Sequence, residues 1–183
     1  MKPEAFTLAV RPANAPEYTL ALSVGETVHG RDFDITLTCE NGVFQPVLRA
    51  LTAVALTELR LELALPCLPF DDELYFYSNV QFTNDVACVK KWAEEKETFS
   101  RDLLVLKNKG TGALAALGMV TAHRFYCEVR LREGALTLYT DMESKALTPG
   151  AEYRLERFIL VQDGEDEYTF LARYAQTVAA VNN

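Results

Sequence analysis

Glu58-Leu59-Arg60-Leu61-Glu62-Leu63-Ala64-Leu65-Pro66 places leucine at every second position and sets Arg60 and Glu62 between the leucines. A strand projects successive side chains to opposite faces, so this spacing lays the leucines on one face of a sheet and turns the charges to the other. Pro66 stops the run, because a residue without an amide proton cannot continue an interior ladder. The same period runs through Phe6-Leu8-Val10, Tyr18-Leu20-Leu22-Val24 and Phe33-Ile35-Leu37-Cys39. Asn41-Gly42 then supplies the dipeptide that tolerates positive φ in a tight hairpin, and Val43 to Leu51 returns as the partner strand.

Downstream, Leu74-Tyr75-Phe76-Tyr77 reads as a short aromatic strand, and the rhythm breaks from Val80 to Phe99, a stretch rich in Lys and Glu that holds the single tryptophan, Trp92. A polar helix or a long excursion fits that stretch, and long excursions within a domain often carry function. Strands resume at Asp102 to Leu106, at the apolar run Gly112 to Thr121, at Phe125-Cys127-Val129-Leu131 and at Leu136 to Thr140, the last two joined through Glu133-Gly134. Pro149-Gly150 makes a further turn before a strand over Tyr153 to Val161. Only after Asp163-Gly164 does the period change: Leu171, Tyr174, Ala175 and Val178 fall on one helical face. The order predicts a mostly β protein, an antiparallel β-sandwich over residues 1–162 followed by one C-terminal α-helix over 163–183.

Composition bounds the function. Of 183 residues, 49% are hydrophobic and 24% charged, enough apolar mass for a packed core. The formal net charge is -8, and no cluster of Lys or Arg exceeds the pair Lys90-Lys91, so the footprint that nucleic acid demands is missing. No apolar run approaches the ~20 residues of a membrane helix, and the N-terminus lacks a secretion signal. Cys39, Cys67, Cys88 and Cys127 are scattered without a Cys-x-x-Cys pair, the usage of reduced, mostly buried thiols. These features lead us to expect a cytoplasmic protein without nucleic-acid or membrane partners.

Catalytic signatures are sparse. His29 and His123 lie far from each other and from any cysteine at metal-ligand spacing, and read as a turn residue and a strand-end residue. Gly110-Thr111-Gly112 followed by Gly118 misplaces the third glycine of a dinucleotide loop, and no Gly-x-Ser-x-Gly elbow occurs. The acidic clusters at Asp71-Asp72-Glu73, Glu94-Glu95 with Glu97, and Asp163 to Glu167 sit beside turns or on polar segments, where charges are solvated. The expectation is therefore no catalytic residue, no cofactor and no metal site in this chain. Tyr75, Tyr77, Phe82 and Trp92 form an aromatic group near the excursion, suited either to the core or to stacking on sugar rings.

Leu74-Tyr75-Phe76-Tyr77-Ser78-Asn79, continuing into Val80-Gln81-Phe82-Thr83, resembles the N-terminal β-supersandwich domain of family 36-like glycoside hydrolases, the α-galactosidase and raffinose-synthase-like enzymes. A strand of that domain commonly ends in aromatic-x-x-Asn-Gly-x-Gln-Ser-Trp; here Gly and Trp are missing around Gln81, whose neighbours are Val80, Phe82 and Thr83. Leu147 to Tyr153, Glu156 to Leu160 and Leu171 to Ala175 look like the final strand and helix that lead into the family's catalytic barrel. The resemblance implies a non-catalytic domain that supports such a barrel and walls its sugar pocket, the barrel and its aspartates lying beyond Asn183. It also implies that Asn79, Gln81 and Phe82 reach toward sugar, and with Trp92 they are the candidate substrate-binding residues. The implied partners are a carbohydrate and the barrel, with a homo-oligomer left open; the alternative is a free-standing carbohydrate- or protein-binding sandwich module.

Overall fold

The computed structural model describes residues 5–66, 68–78, 88–92, 97–132, 134–162 and 166–182. Two antiparallel sheets face each other. The first has six strands in the order β2 (Tyr18–Ser23), β1 (Ala5–Pro12), β6 (Ala55–Ala64), β13 (Ala135–Ala146), β12 (Tyr126–Arg132) and β9 (Glu97–Ser100). The second has nine. Eight run in the order β3 (Thr27–His29), β4 (Phe33–Glu40), β5 (Val43–Ala50), β15 (Phe158–Gln162), β11 (Leu114–Met119), β10 (Leu103–Asn108), β7 (Leu74–Ser78) and β8 (Cys88–Lys91), and β14 (Glu152–Arg154) also pairs with β5. One helix, α1 (Glu167–Asn182), follows the last strand. The mostly β sandwich with a C-terminal helix is thus the fold.

The alternation read from the sequence sets the layers. Leu59, Leu61 and Leu63 of β6 point into the space between the sheets, where Leu8, Val10, Ile35, Leu37 and Leu48 meet them. Phe6 of the first sheet stands edge-on to Phe44 of the second, which stacks on Phe158 at 5.2 Å, so one aromatic column ties the sheets together. The Asn41-Gly42 turn has φ of 51° and 79°, the doubly positive pair that the tight hairpin requires.

Three strands are apolar on both faces. Leu104 and Leu106 of β10, Ala115, Leu117 and Met119 of β11, and Phe158 and Leu160 of β15 face the inner core. Leu103, Val105, Leu114, Ala116 and Ile159 face the other way and are buried against α1 through Phe170. This explains the unbroken apolar runs: a strand covered on both faces has no polar side to alternate with.

The helix docks on its own sandwich, along a face slightly different from the expected one. Leu171 and Ala175 are exposed; the expected Tyr174 packs on the sheet, joined by Phe170 and Val181. Both stripes are apolar in sequence; the sheet selects the one carrying the fully buried ring. Asp166 caps the helix, its Oδ1 accepting from the amides of Tyr168 and Thr169 at 3.0 and 3.1 Å. Lys107 Nζ donates to Glu167 at 2.9 Å and fastens the first turn to β10.

Two further expectations are corrected. In place of the polar helix or long excursion expected over Val80–Phe99, two short strands are found among the described residues: Cys88–Lys91 adds to β7 at the edge of one sheet, and Glu97–Ser100 adds to β12 at the edge of the other. Four-residue edge strands with charged side chains carry too little pattern to be read from sequence. The strand expected from Tyr153 to Val161 is broken in two, at Leu155 to Arg157. Arg154 lies opposite Val47 and Phe158 opposite Phe44, so β14 and β15 spend one residue more than β5 does: a β-bulge. Pro46 of β5 sits at that place, where its missing amide proton costs no ladder bond, while its carbonyl accepts from Leu155 N at 2.9 Å.

Candidate functional site

The bulge turns Glu156 and Arg157 out of the regular alternation, beneath the C-terminal half of α1. Bulges commonly re-aim side chains at functional positions, and this one serves two purposes. Glu156 is only 4% exposed. Its Oε1 accepts from the amides of His123, Arg124 and Phe125 at 3.1, 2.7 and 3.2 Å, and its Oε2 accepts from Thr121 Oγ1 at 2.5 Å. Burial pushes the carboxyl up, but the Thr121 hydroxyl and the three amides together outweigh it and hold Glu156 below its ordinary value. The carboxylate thus replaces the backbone partners that the 121–125 loop lacks, and it is spent on that task.

Arg157 has its backbone fixed on both sides. Its amide donates to Thr121 Oγ1 at 2.8 Å, and its carbonyl accepts from the amide of Val120 at 2.8 Å. Arg157, a half-buried residue, lines two hollows of about 320 and 300 Å³ that also share Gln45 and Val181. Thr38, Glu40 and Asn41 line the first hollow, and His123, Arg124, Arg154 and Glu156 the second. Together they form a polar groove between α1 and the outer surface of β4 and β5.

A third hollow of about 510 Å³ opens on the other flank of the helix, beside Tyr77, Asp102, His123 and Tyr174. Tyr174 donates to the carbonyl of Met119 at 2.8 Å, and burial pushes its phenol up to about 12. Its ring rests on Gly118, where a Cβ would lie 2.5 Å from the ring edge, so only glycine admits this approach. At the helix end Asn182 Nδ2 donates to the carbonyl of Val120 at 2.9 Å, and His123 Nε2 lies 3.1 Å from Asn182 Oδ1.

Of the residues expected to bind sugar, Asn79, Gln81 and Phe82 lie outside the described residues. Trp92 is buried in the main core, its ring edge-on to Phe70 at 5.2 Å. His29 is on the short edge strand β3, with Nδ1 2.8 Å from Asp34 Oδ1, and pairs with the end of β4 opposite to Thr38 and Glu40. Cys39 and Cys127 are free and half-buried, and burial raises the Cys127 thiol to about 12. Among the described residues no three His, Cys, Asp or Glu side chains are grouped to hold a metal ion, and no helix is long and apolar enough to cross a membrane.

Sequence reasoning missed Glu156 and Arg157. A signal was present: Leu155 and Phe158 are both apolar but three apart, so the period-two phase slips between them. A phase slip inside a strand pattern marks a bulge. No protein-family model matches this sequence, and no curated protein matches it.

Proposed function

We propose that the chain is the non-catalytic β-sandwich domain of a glycoside hydrolase of the α-galactosidase type, supporting a catalytic barrel and walling its sugar pocket. The observation that carries this reading is the order and docking of the last elements. An antiparallel two-sheet sandwich passes from β15 into α1, and α1 is fastened along its length by Lys107, Tyr174 and Asn182. A helix held this way gives a stiff exit from the sandwich, which a domain that must orient a following barrel needs. Two groups suited to chemistry are not free for it: Glu156 holds a loop beneath the helix, and Cys127, on β12 of the other sheet, stays a thiol at neutral pH.

The test is to read the coding frame past Asn183 and to assay p-nitrophenyl α-galactoside with the full product and with residues 1–183 alone. The expected result is a continuing frame that encodes a barrel, turnover by the full product and none by the isolated chain. Turnover by the isolated chain that is lost on changing one of its own carboxylates contradicts the proposal. A stop codon directly after Asn183 favours the second reading, a free-standing binding module, which the groove beside Arg157 supports.

A further inference from the structure

We infer that the groove between α1 and the outer surface of β4 and β5 binds a small polyhydroxylated carboxylate, such as a hexuronate, with its carboxylate on Arg157 and Arg124. The charge pattern leads there. Arg11, Arg60, Arg130, Arg132 and Arg154 each pair with a carboxylate within 3.1 Å. The guanidinium of Arg157 has no hydrogen-bond or ion-pair partner among the described residues, although the residue as a whole is half-buried and the protein carries a net charge of -8. The side chain of Arg124, on the rim of the same hollow, has none either. The Arg157 nitrogens stay within reach of solvent and so are open to a ligand, and a planar guanidinium offers paired donors that match a carboxylate.

The neighbouring anion forms no ion pair with it. Glu156 faces the same hollow, but its oxygens already accept four hydrogen bonds from the 121–125 segment. Arg154 is on Glu152 at 3.1 Å. The rest of the first hollow's lining changes character, to Thr38, whose hydroxyl donates to the Gln45 carbonyl at 3.1 Å, to Gln45, whose Nε2 donates to the Leu155 carbonyl at 3.3 Å, and to the amide of Asn41. The Thr38 oxygen keeps its capacity to accept, and the Gln45 and Asn41 side chains keep both donor and acceptor capacity for hydroxyls. Glu40 stands in that same part and repels a second carboxylate, so a ligand with one acidic end and several hydroxyls has one favoured orientation. Each hollow, at about 320 and 300 Å³, is at the lower end of the range for small-molecule sites. This inference does not rest on the glycosidase reading, since the groove is formed entirely by this chain.

The experiment titrates the isotopically labelled full chain with glucuronate, glucose and acetate at physiological ionic strength, following amide and arginine side-chain resonances. Glucuronate should shift the Gln45 side-chain amide, the Arg157 Nε and the backbone amides of residues 121–125, at lower concentration than either glucose or acetate. Arg157→Gln should weaken glucuronate binding by about tenfold or more, as expected for loss of a charge-assisted pair. Arg49→Gln, which removes the same charge from an exposed position on β5, should leave it unchanged. If Arg157→Gln does not fold, Arg124→Gln reads the same site, with weakened binding expected. The inference is overturned if glucuronate causes no shifts, if acetate binds as tightly as glucuronate, or if Arg49→Gln weakens binding as much as Arg157→Gln.

Discussion

The outer surfaces of the two sheets solve the same problem in opposite ways. On the six-stranded sheet the outer side of β6 is charged, with Arg60 bonded to Glu17 and to Glu58 and Arg11 on Glu58 at 3.1 Å. Beside it, Arg130 lies 3.8 Å above the Tyr139 ring and pairs with Glu128 at 2.9 Å. This surface is finished by water and by its own ion pairs. On the nine-stranded sheet the outer side of β10, β11 and β15 is apolar and is finished by a helix. An ion pair left to water contributes about 0–1 kcal/mol, because exposed charges are screened, whereas Glu58 and Glu128 are themselves largely covered by their arginine partners. A face buried under a helix contributes through area, roughly 1.5–3 kcal/mol for each large side chain covered. The difference makes the helical side depend on buried area and leaves the exposed rim of the charged side, such as Glu62, tolerant of change.

Phe170→Ala should break this contrast most severely. The ring is fully buried at the centre of the helix–sheet contact. Its loss should cost about 3–5 kcal/mol and lower the Tm by roughly 10 °C, read by calorimetry. Glu156→Gln comes next, with a signature in pH. The folded carboxyl titrates below its ordinary value, so its contribution is complete above about pH 4.5 and is lost as the pH falls through the folded value. The variant should be less stable by about 1–3 kcal/mol at neutral pH, and the difference from the wild type should shrink on acidification, checked by denaturant titrations across pH.

Gly118→Ala sharpens the comparison, because the new Cβ would stand 2.5 Å from the Tyr174 ring and force the helix off its seat. A loss of about 1–3 kcal/mol is expected, with the Tyr174 resonances displaced in nuclear magnetic resonance spectra. The smallest effect belongs to the charged face. Glu62, 3.8 Å from Arg60 and partly exposed, should tolerate Glu62→Ala within about 0.5 kcal/mol. A loss there as large as that of Phe170→Ala would erase the contrast between the faces.

Much of the fold is legible in the sequence because alternation is a local signal. Leu59 to Leu65, Phe33 to Cys39 and the Asn41-Gly42 turn need no tertiary information. The face of the helix is different: Phe170 and Leu171 are adjacent apolar residues, and only the sheet beneath decides that Phe170 goes in and Leu171 stays out. The short strands Cys88–Lys91 and Glu97–Ser100 are defined by their partners in two different sheets, a non-local fact. The groove was illegible for a related reason. Arg157, Arg124 and Gln45 are far apart in sequence and meet only because a bulge opposite Pro46 turns Arg157 toward the helix.

Native-state amide hydrogen exchange tests the central claim, that α1 is part of the sandwich and seals its outer face. The amides of Tyr174 to Val181 should exchange as slowly as those of Leu114 to Met119, opening together with the global unfolding of the domain. If the helix amides exchange as a freely fraying segment while β11 stays protected, the helix does not cover the sheet and the account of this face is wrong.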